Sequence, residues 1–275
     1  NTRLNIKQQF QSIVSNSSKY PLMTGNADNF QLVYNKSAIN NSYPTFQNLS
    51  FSSLVSMEKS FVDLLKARKD PRLFKFAEPV TGKPANAFES YEGVDAGLTV
   101  VNQQSSSRNA SKPARRYFED QINEPMIFIG YAEQEFLIAE AIARNWITGA
   151  GTAEEHYNKG ITASMKFYGI NDADITSYLA EPNVKFDPAN AIPMIITQKY
   201  IAFFMNSFYE PFFEQRRTGI PTLSVGPGTL NGGQVPKRWI YPQSEYVNNK
   251  ANVQAAVERQ YPGGDNVNEV MWVLK

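Results

Sequence analysis

Apolar residues return at helical spacing in separate blocks of this chain, with long polar stretches between them. Leu4, Ile6, Phe10, Ile13 and Val14 predict a first helix. Residues 21 to 50 are rich in Asn, Ser, Thr and Tyr and predict irregular structure. A second periodic block follows, with Leu54, Val55, Phe61, Leu64 and Leu65 on one stripe. Ser52 or Ser53 is the expected N-cap of that helix. Lys66, Arg68 and Lys69 fall in its last turn, where cations meet the negative end of the dipole, and Pro71 stops it. Residues 79 to 125 then carry many Pro, Gly, Ser and Asn and no period, and a stretch of that length inside a domain points to a functional or mobile loop region.

From residue 126 the pattern sharpens. YAEQEFLIAEAIARNW places Phe136, Leu137, Ala139, Ile142 and Ala143 on one face, with small residues that let a neighbour approach. After the turn ITGAG, Thr152 and Glu155 form a capping box and Gly169 supplies a left-handed terminus. The pair predicts two antiparallel helices with the dimensions of a tetratricopeptide unit, without its detailed consensus. Near Pro193 a long aromatic helix is expected, with Tyr200, Phe204, Phe208 and Phe212 four residues apart and a kink at Pro211. It ends in FFEQRRTGIPTL. Arg216 and Arg217 stand in its last turn, Gly219 takes the cap and Pro221 blocks continuation. An anion clamp is the lesser reading of the two arginines; at most one of them has an acidic partner across the domain, for example on a neighbouring helix. Beyond 220 the chain reads as loops, with a short helix over 251–258. The fold class is therefore mainly α, tetratricopeptide-like helical pairs with long irregular loops. It forms one domain over 1–275, with a loop region at 79–125 and a helical core at 126–218.

Composition narrows the chemistry. The 27 basic and 26 acidic residues nearly cancel, which leaves no electrostatic footprint for nucleic acid or an anionic membrane surface. There is no cysteine, so disulfides, thiol nucleophiles and Cys-based metal sites are excluded. The single histidine, His156, sits just inside a capped helix and predicts a satisfied helix residue, not a ligand or base. Asp172 and Asp174 lack the glycine and terminal glutamate of a calcium loop and read as N-cap material. Glu133, Glu135 and Glu140 default to the wet face of a helix. None of the phosphate-binding, dinucleotide, nucleophile-elbow or zinc-protease motifs is present. No cofactor and no metal are expected, and no enzyme class gains support. The aromatic share of 13% suits a binding protein.

Several stretches combine in a specific order: DPRLFKF, YEGVDAGLT, YAEQEFLIAEA, AEEHYNKGITASMKFYG, FFEQRRTGIPTL and VPKRWIYPQSEYVNNKANVQAA. In this order the chain resembles the SusD/RagB family of Bacteroidetes outer-membrane lipoproteins, in its SusD-like branch. The resemblance runs through nearly the whole chain and is strongest from Asp70 to Ala256. Members of that family are longer and begin with a signal peptide, a lipidated cysteine and further tetratricopeptide-like helices. The resemblance implies a lipid-anchored, cell-surface protein of the outer membrane. It would capture a glycan and pass it to a SusC-type TonB-dependent transporter. The alternatives are the same role with oligopeptide cargo, a helical-repeat interaction scaffold without a small ligand, and a glycoside hydrolase, which would need paired carboxylates in a groove.

No family motif fixes the binding residues, so the site expectation is physical. The long loop offers the rings of Phe88, Tyr91, Tyr117 and Phe118, which can stack on sugar faces. Arg115 and Arg116 stand beside them as partners for hydroxyl or carboxylate groups. Trp239 and Tyr241 read as core or loop anchors.

Overall fold

The structure, a computed structural model, describes residues 4–274. The first three residues and Lys275, which belong to the expected 1–275 domain, lie outside the described residues. In chain order the elements are α1 (Ile6–Val14), β1 (Phe30–Leu32), α2 (Leu49–Leu54), α3 (Lys59–Lys66), α4 (Leu73–Phe76), α5 (Val100–Ser106), α6 (Arg116–Glu119), β2 (Met126–Ile129), α7 (Tyr131–Ala143), α8 (Ala153–Phe167), α9 (Asp172–Leu179), α10 (Ala191–Ala202), α11 (Glu210–Thr218), α12 (Gln243–Asn248) and α13 (Lys250–Gln260). The fold is mainly α. β1 and β2 pair antiparallel, with Leu32 opposite Met126.

The α7–α8 hairpin is built by local rules. The Thr152 hydroxyl accepts from the Glu155 amide, and the Glu155 carboxylate accepts from the Thr152 amide at 2.8 Å, so two orphan donors are satisfied at once. Gly169 closes the far end with a φ of 71°. Between the helices Phe136 lies on Gly160, where an added Cβ would stand 2.7 Å from the ring, too close for any larger residue. Phe136 opposite Gly160 sets the register of the pair, and Ala139 and Tyr157 share the core between them. Ile195 of α10 and Ile175 and Tyr178 of α9 complete this core. A second core joins Phe61, Val62 and Leu65 of α3 to Leu73 and Phe76 of α4, Tyr168 and Ile201.

Between α3 and α4 the chain turns through DPR. Lys69 takes the left-handed conformation, φ 48°, and the Asp70 amide donates back to the Leu65 carbonyl. Asp70 and Arg72 are both fully buried. Arg72 donates through Nε and Nη2 to the two carboxylate oxygens of Asp70, at 2.9 and 2.6 Å. Its remaining donors reach Ser164 Oγ on α8 and Gln198 Oε1 on α10, each at 2.9 Å. One side chain thus ties the α3–α4 corner to both layers of the helical core.

Three expectations change. The helix before DPR starts at Lys59, capped by the Glu58 carboxylate, and the preceding turn is a separate helix capped by Asn48, so Leu54 is exposed and not part of the stripe. Asn171, not an aspartate, caps α9, its side chain accepting from the Asp174 amide. The aromatic helix is two helices. After α10 the chain passes through Met205, Ser207 and Phe208, all at positive φ. Asn206 holds this corner to β2, accepting from the Ile127 amide at 2.7 Å and donating to the Pro125 carbonyl. Pro211 therefore sits in the first turn of α11, where its missing N–H costs nothing, and does not kink a helix. The 79–125 stretch carries α5, α6 and two short 3-10 turns.

His156 is buried at the hairpin and uses both ring nitrogens. Nδ1 lies 2.7 Å from Glu135 Oε2 and Nε2 lies 2.6 Å from the Ala150 carbonyl. Both partners are acceptors, so the ring that satisfies them is the doubly protonated imidazolium. The Glu135 hydrogen bond raises the pKa above the ordinary 6.5, burial opposes it, and the Ala150 carbonyl adds to the rise. A raised folded pKa means the bound proton stabilises the fold. That contribution is complete below the ordinary value and is lost as pH climbs through the folded one. The melting-temperature gap between the protein and His156→Gln is accordingly expected to narrow from mildly acidic to alkaline pH; a gap that widens contradicts this. Asp70→Asn is expected to lower unfolding free energy in urea by about 3–5 kcal/mol, since it leaves a buried cation without its anion. A loss of about 0.5 kcal/mol, the scale of a surface substitution, contradicts the network's role.

Candidate ligand site

The α3–α4 corner, the 86–88 segment and the α8–α9 turn surround an open cleft of about 440 Å³. Its aromatic wall is Phe74 of α4 with Phe88, their ring centroids 4.7 Å apart. Tyr91 packs against Phe74 at 5.5 Å and stiffens that wall from behind. Polar groups line the rest: Lys69, Lys75, Asn86, Asp174, Ser177 and Glu181. Asn86 is held in the left-handed conformation, φ 60°. Lys69 pairs with Glu181 at 3.1 Å, and Asp174 accepts from Asn171 Nδ2 at 2.8 Å. Lys75 has no ion-pair partner among the described residues. A ring wall beside hydrogen-bonding groups suits a ligand with one apolar face and hydroxyls at its edge.

The six residues singled out from sequence fall in two places. Phe88 is half-buried and lines the cleft. Tyr91 is 1% exposed and Tyr117 fully buried, and both belong to hydrophobic cores. This corrects the expectation that their rings face a ligand: each fills space between loop and helix. Burial also pushes both phenols above their ordinary pKa. Arg115 is exposed and pairs with Glu119 one turn on. Arg116 stacks on Tyr117 at 4.2 Å, pairs with Glu124 and donates through Nε to the Lys75 carbonyl at 3.0 Å, a bracing role. Phe118 is half-buried, and its carbonyl accepts from the Gln47 amide. The α6 group meets the cleft only through Lys75, whose carbonyl it holds.

One of the two rings read as anchors stands at the surface instead. Trp239 is 56% exposed, which corrects its reading as an anchor. It packs on Tyr209 at 5.3 Å and Phe212 at 4.9 Å. Tyr241, by contrast, is half-buried, and its amide donates to Asp265. The twin arginines diverge. Arg217 grips both carboxylate oxygens of Glu140 on α7, at 2.7 and 2.8 Å, and also Glu214. Glu140 receives Arg144 as well, and Glu214 shares Lys199 of α10 with Glu133. Opposed by burial, the bonds from Arg217 and Arg144 hold the Glu140 carboxyl below the usual range. Of the two arginines it is Arg217 that takes an acidic partner across the domain. Arg216 turns the other way, onto the rings of Phe212 and Phe213.

Comparison with known proteins places this architecture. The profile of a SusD-like family, described as starch-binding and associating with the outer membrane, matches residues 1–242. The chain belongs to this SusD-like family. A SusD homologue from Bacteroides fragilis is 36% identical, with a TM-score of 0.88 over 98% of this chain and 61% of its own. An outer-membrane protein of Bacteroides vulgatus, described in terms of nutrient binding, is 34% identical, with a TM-score of 0.88 over 98% of this chain and 62% of its own. A chitin-binding protein is 26% identical, with a TM-score of 0.76 over 97% of this chain and 58% of its own. The SusD-like chain thus spans 62% or less of the length of these three relatives. No curated protein matches it. Among the described residues no helix is long and apolar enough to cross a membrane.

Proposed function

We propose that this SusD-like protein captures a glycan at the outer-membrane surface, without catalysis, through the Phe74–Phe88 cleft, and passes it to a SusC-type TonB-dependent transporter. The observation that carries the reading is Phe88: a half-exposed ring, backed by Phe74, on an open cleft of about 440 Å³ with Asn86, Lys75 and Asp174 around it. A sugar ring lays its C–H face on the phenyl, and its hydroxyls meet the amide, ammonium and carboxylate groups. The scaffold supports capture over turnover, because the two carboxylates of the cleft are engaged. Glu181 is paired with Lys69, and Asp174 is bound by the Asn171 side chain that caps α9. The family's description as starch-binding and the chitin-binding relative point to the same ligand class. Lipid anchoring and the transporter handover rest on the family resemblance.

Calorimetric titration of the protein with a panel of polysaccharides and oligopeptides tests this. At least one glycan is expected to bind without being cleaved. Phe88→Ala is expected to weaken it about tenfold, equivalent to about 1.4 kcal/mol, with the fold retained and a modest fall in melting temperature. Peptide binding in place of glycan, appearance of shortened glycan products, or full affinity in Phe88→Ala overturns the reading.

A further inference from the structure

The rings around Trp239 form a second surface, separate from the cleft, and it is built rigidly. Arg238 is buried beside Trp239, stacks on Tyr261 at 4.0 Å and donates to Asp265 at 2.5 Å. Asp265 also accepts from the Tyr241 amide and the Tyr246 hydroxyl. The segment is therefore anchored on both sides of Trp239, while the indole itself stays outside. Tyr209, 62% exposed, and Phe213 meet it nearly edge-on, at interplanar angles of 78° and 87°. Holding an indole and a phenol rigid at the surface pre-organises a stacking platform.

The cation beneath this platform has no carboxylate partner among the described residues. Arg216 lies over Phe212 and Phe213 at 4.7 and 4.9 Å. It donates through Nη1 to the Lys237 carbonyl at 2.9 Å and touches the Met271 sulfur. Its Nε is buried with no hydrogen-bond partner. Nη2 makes no hydrogen bond, and no carboxylate lies within ion-pair distance among the described residues. Desolvation lowers the pKa of Arg216, as expected of a charge that has lost water and gained no anion. Arg217, the next residue, has two carboxylates. Lys237, exposed and two positions before Trp239 in the chain, adds a second cation without an ion-pair partner among the described residues.

We propose that the Tyr209–Phe213–Trp239 platform with Arg216 and Lys237 is a binding site for an acidic glycan, stacking a sugar ring on Trp239 and pairing its carboxylate or sulfate with the two cations. This rests on the glycan reading and sharpens it, since it names the class: a polysaccharide carrying anionic substituents. Rings alone would take any sugar face, and the unpaired guanidinium supplies the preference.

A matched pair of ligands tests it: a uronic-acid oligosaccharide and the same oligosaccharide with its carboxyl groups reduced to alcohols, with a sulfated oligosaccharide as a third arm to separate the two anions. The uronate or the sulfated ligand is expected to bind the protein about tenfold tighter than the reduced one by calorimetry. That preference is expected to shrink as NaCl rises from about 0.05 to about 0.5 M. Arg216→Gln is expected to abolish the preference while affinity for the reduced ligand stays. Trp239→Ala is expected to weaken every ligand. Lys237→Gln, which leaves the Arg216 contact to the main chain in place, gives a smaller loss in the same direction and guards against misfolding of Arg216→Gln. Equal binding of charged and reduced ligands, or an undiminished preference in both Arg216→Gln and Lys237→Gln, overturns the proposal. If glycans bind and only Phe88→Ala weakens them, the platform falls and the cleft reading stands. If no glycan of either kind binds, both fall.

Discussion

A fully buried arginine is the constraint on which this structure turns. Arg72 gives up hydration that only a complete set of partners can replace, and it has them: both oxygens of Asp70, Ser164 of α8 and Gln198 of α10. Burial pulls its pKa down, but the Asp70 charge and hydrogen bonds more than reverse this and keep it a cation. The partners lie on three different parts of the chain, so the α3–α4 corner has one position relative to the helical core. That position sets α4, which sends Phe76 into the second core and Phe74 and Lys75 to the wall of the cleft. The site expected to bind is thus placed by the most deeply buried charge in the corner next to it.

A second polar network does the same for the other end of the hairpin. Arg217, Arg144 and Lys199 neutralise Glu140, Glu214 and Glu133 across α7, α10 and α11. With α11 fixed, its opposite face carries Phe212, Phe213 and Arg216 outward to meet Trp239. Adjacent arginines therefore do opposite things. One is consumed in holding the scaffold, and the other is left half-buried under the rings without a carboxylate partner among the described residues. The scaffold is stiff where helices meet and decorated where the loops emerge, an arrangement that holds exposed side chains in fixed positions.

What could be read in advance was what local chemistry decides. The capping box at Thr152 and Glu155, the left-handed glycines 169 and 219 and the basic last turn of α11 need only their near neighbours, and the order of short signatures led to the SusD-like family. The break between α10 and α11 was not legible. No glycine or proline marks residues 203–209, and the corner exists because Asn206 bonds β2, some 80 positions earlier in the chain. The ring positions in the loops were equally hidden. Tyr91 and Tyr117 have no periodicity to reveal a buried face, and they are core because Tyr91 packs on Phe74 of α4 while Tyr117, on α6, packs on Tyr43 and Phe204. Trp239 lies in a family signature next to a buried arginine, and nothing local distinguishes the anchoring residue at 238 from the exposed one at 239. Of the candidate site, only Phe88 was found from sequence; Phe74, Lys75 and Asn86 are joined to it by the DPR corner.

Ligand is held by side chains at the rim of a scaffold that does not move. Hydrogen–deuterium exchange with and without a saturating bound glycan tests it most directly. Added protection is predicted at residues 86–91 or at 209–216 and 237–241, with α7, α8 and α10 unchanged. Protection spread through those three helices, or none in either surface segment, would contradict it.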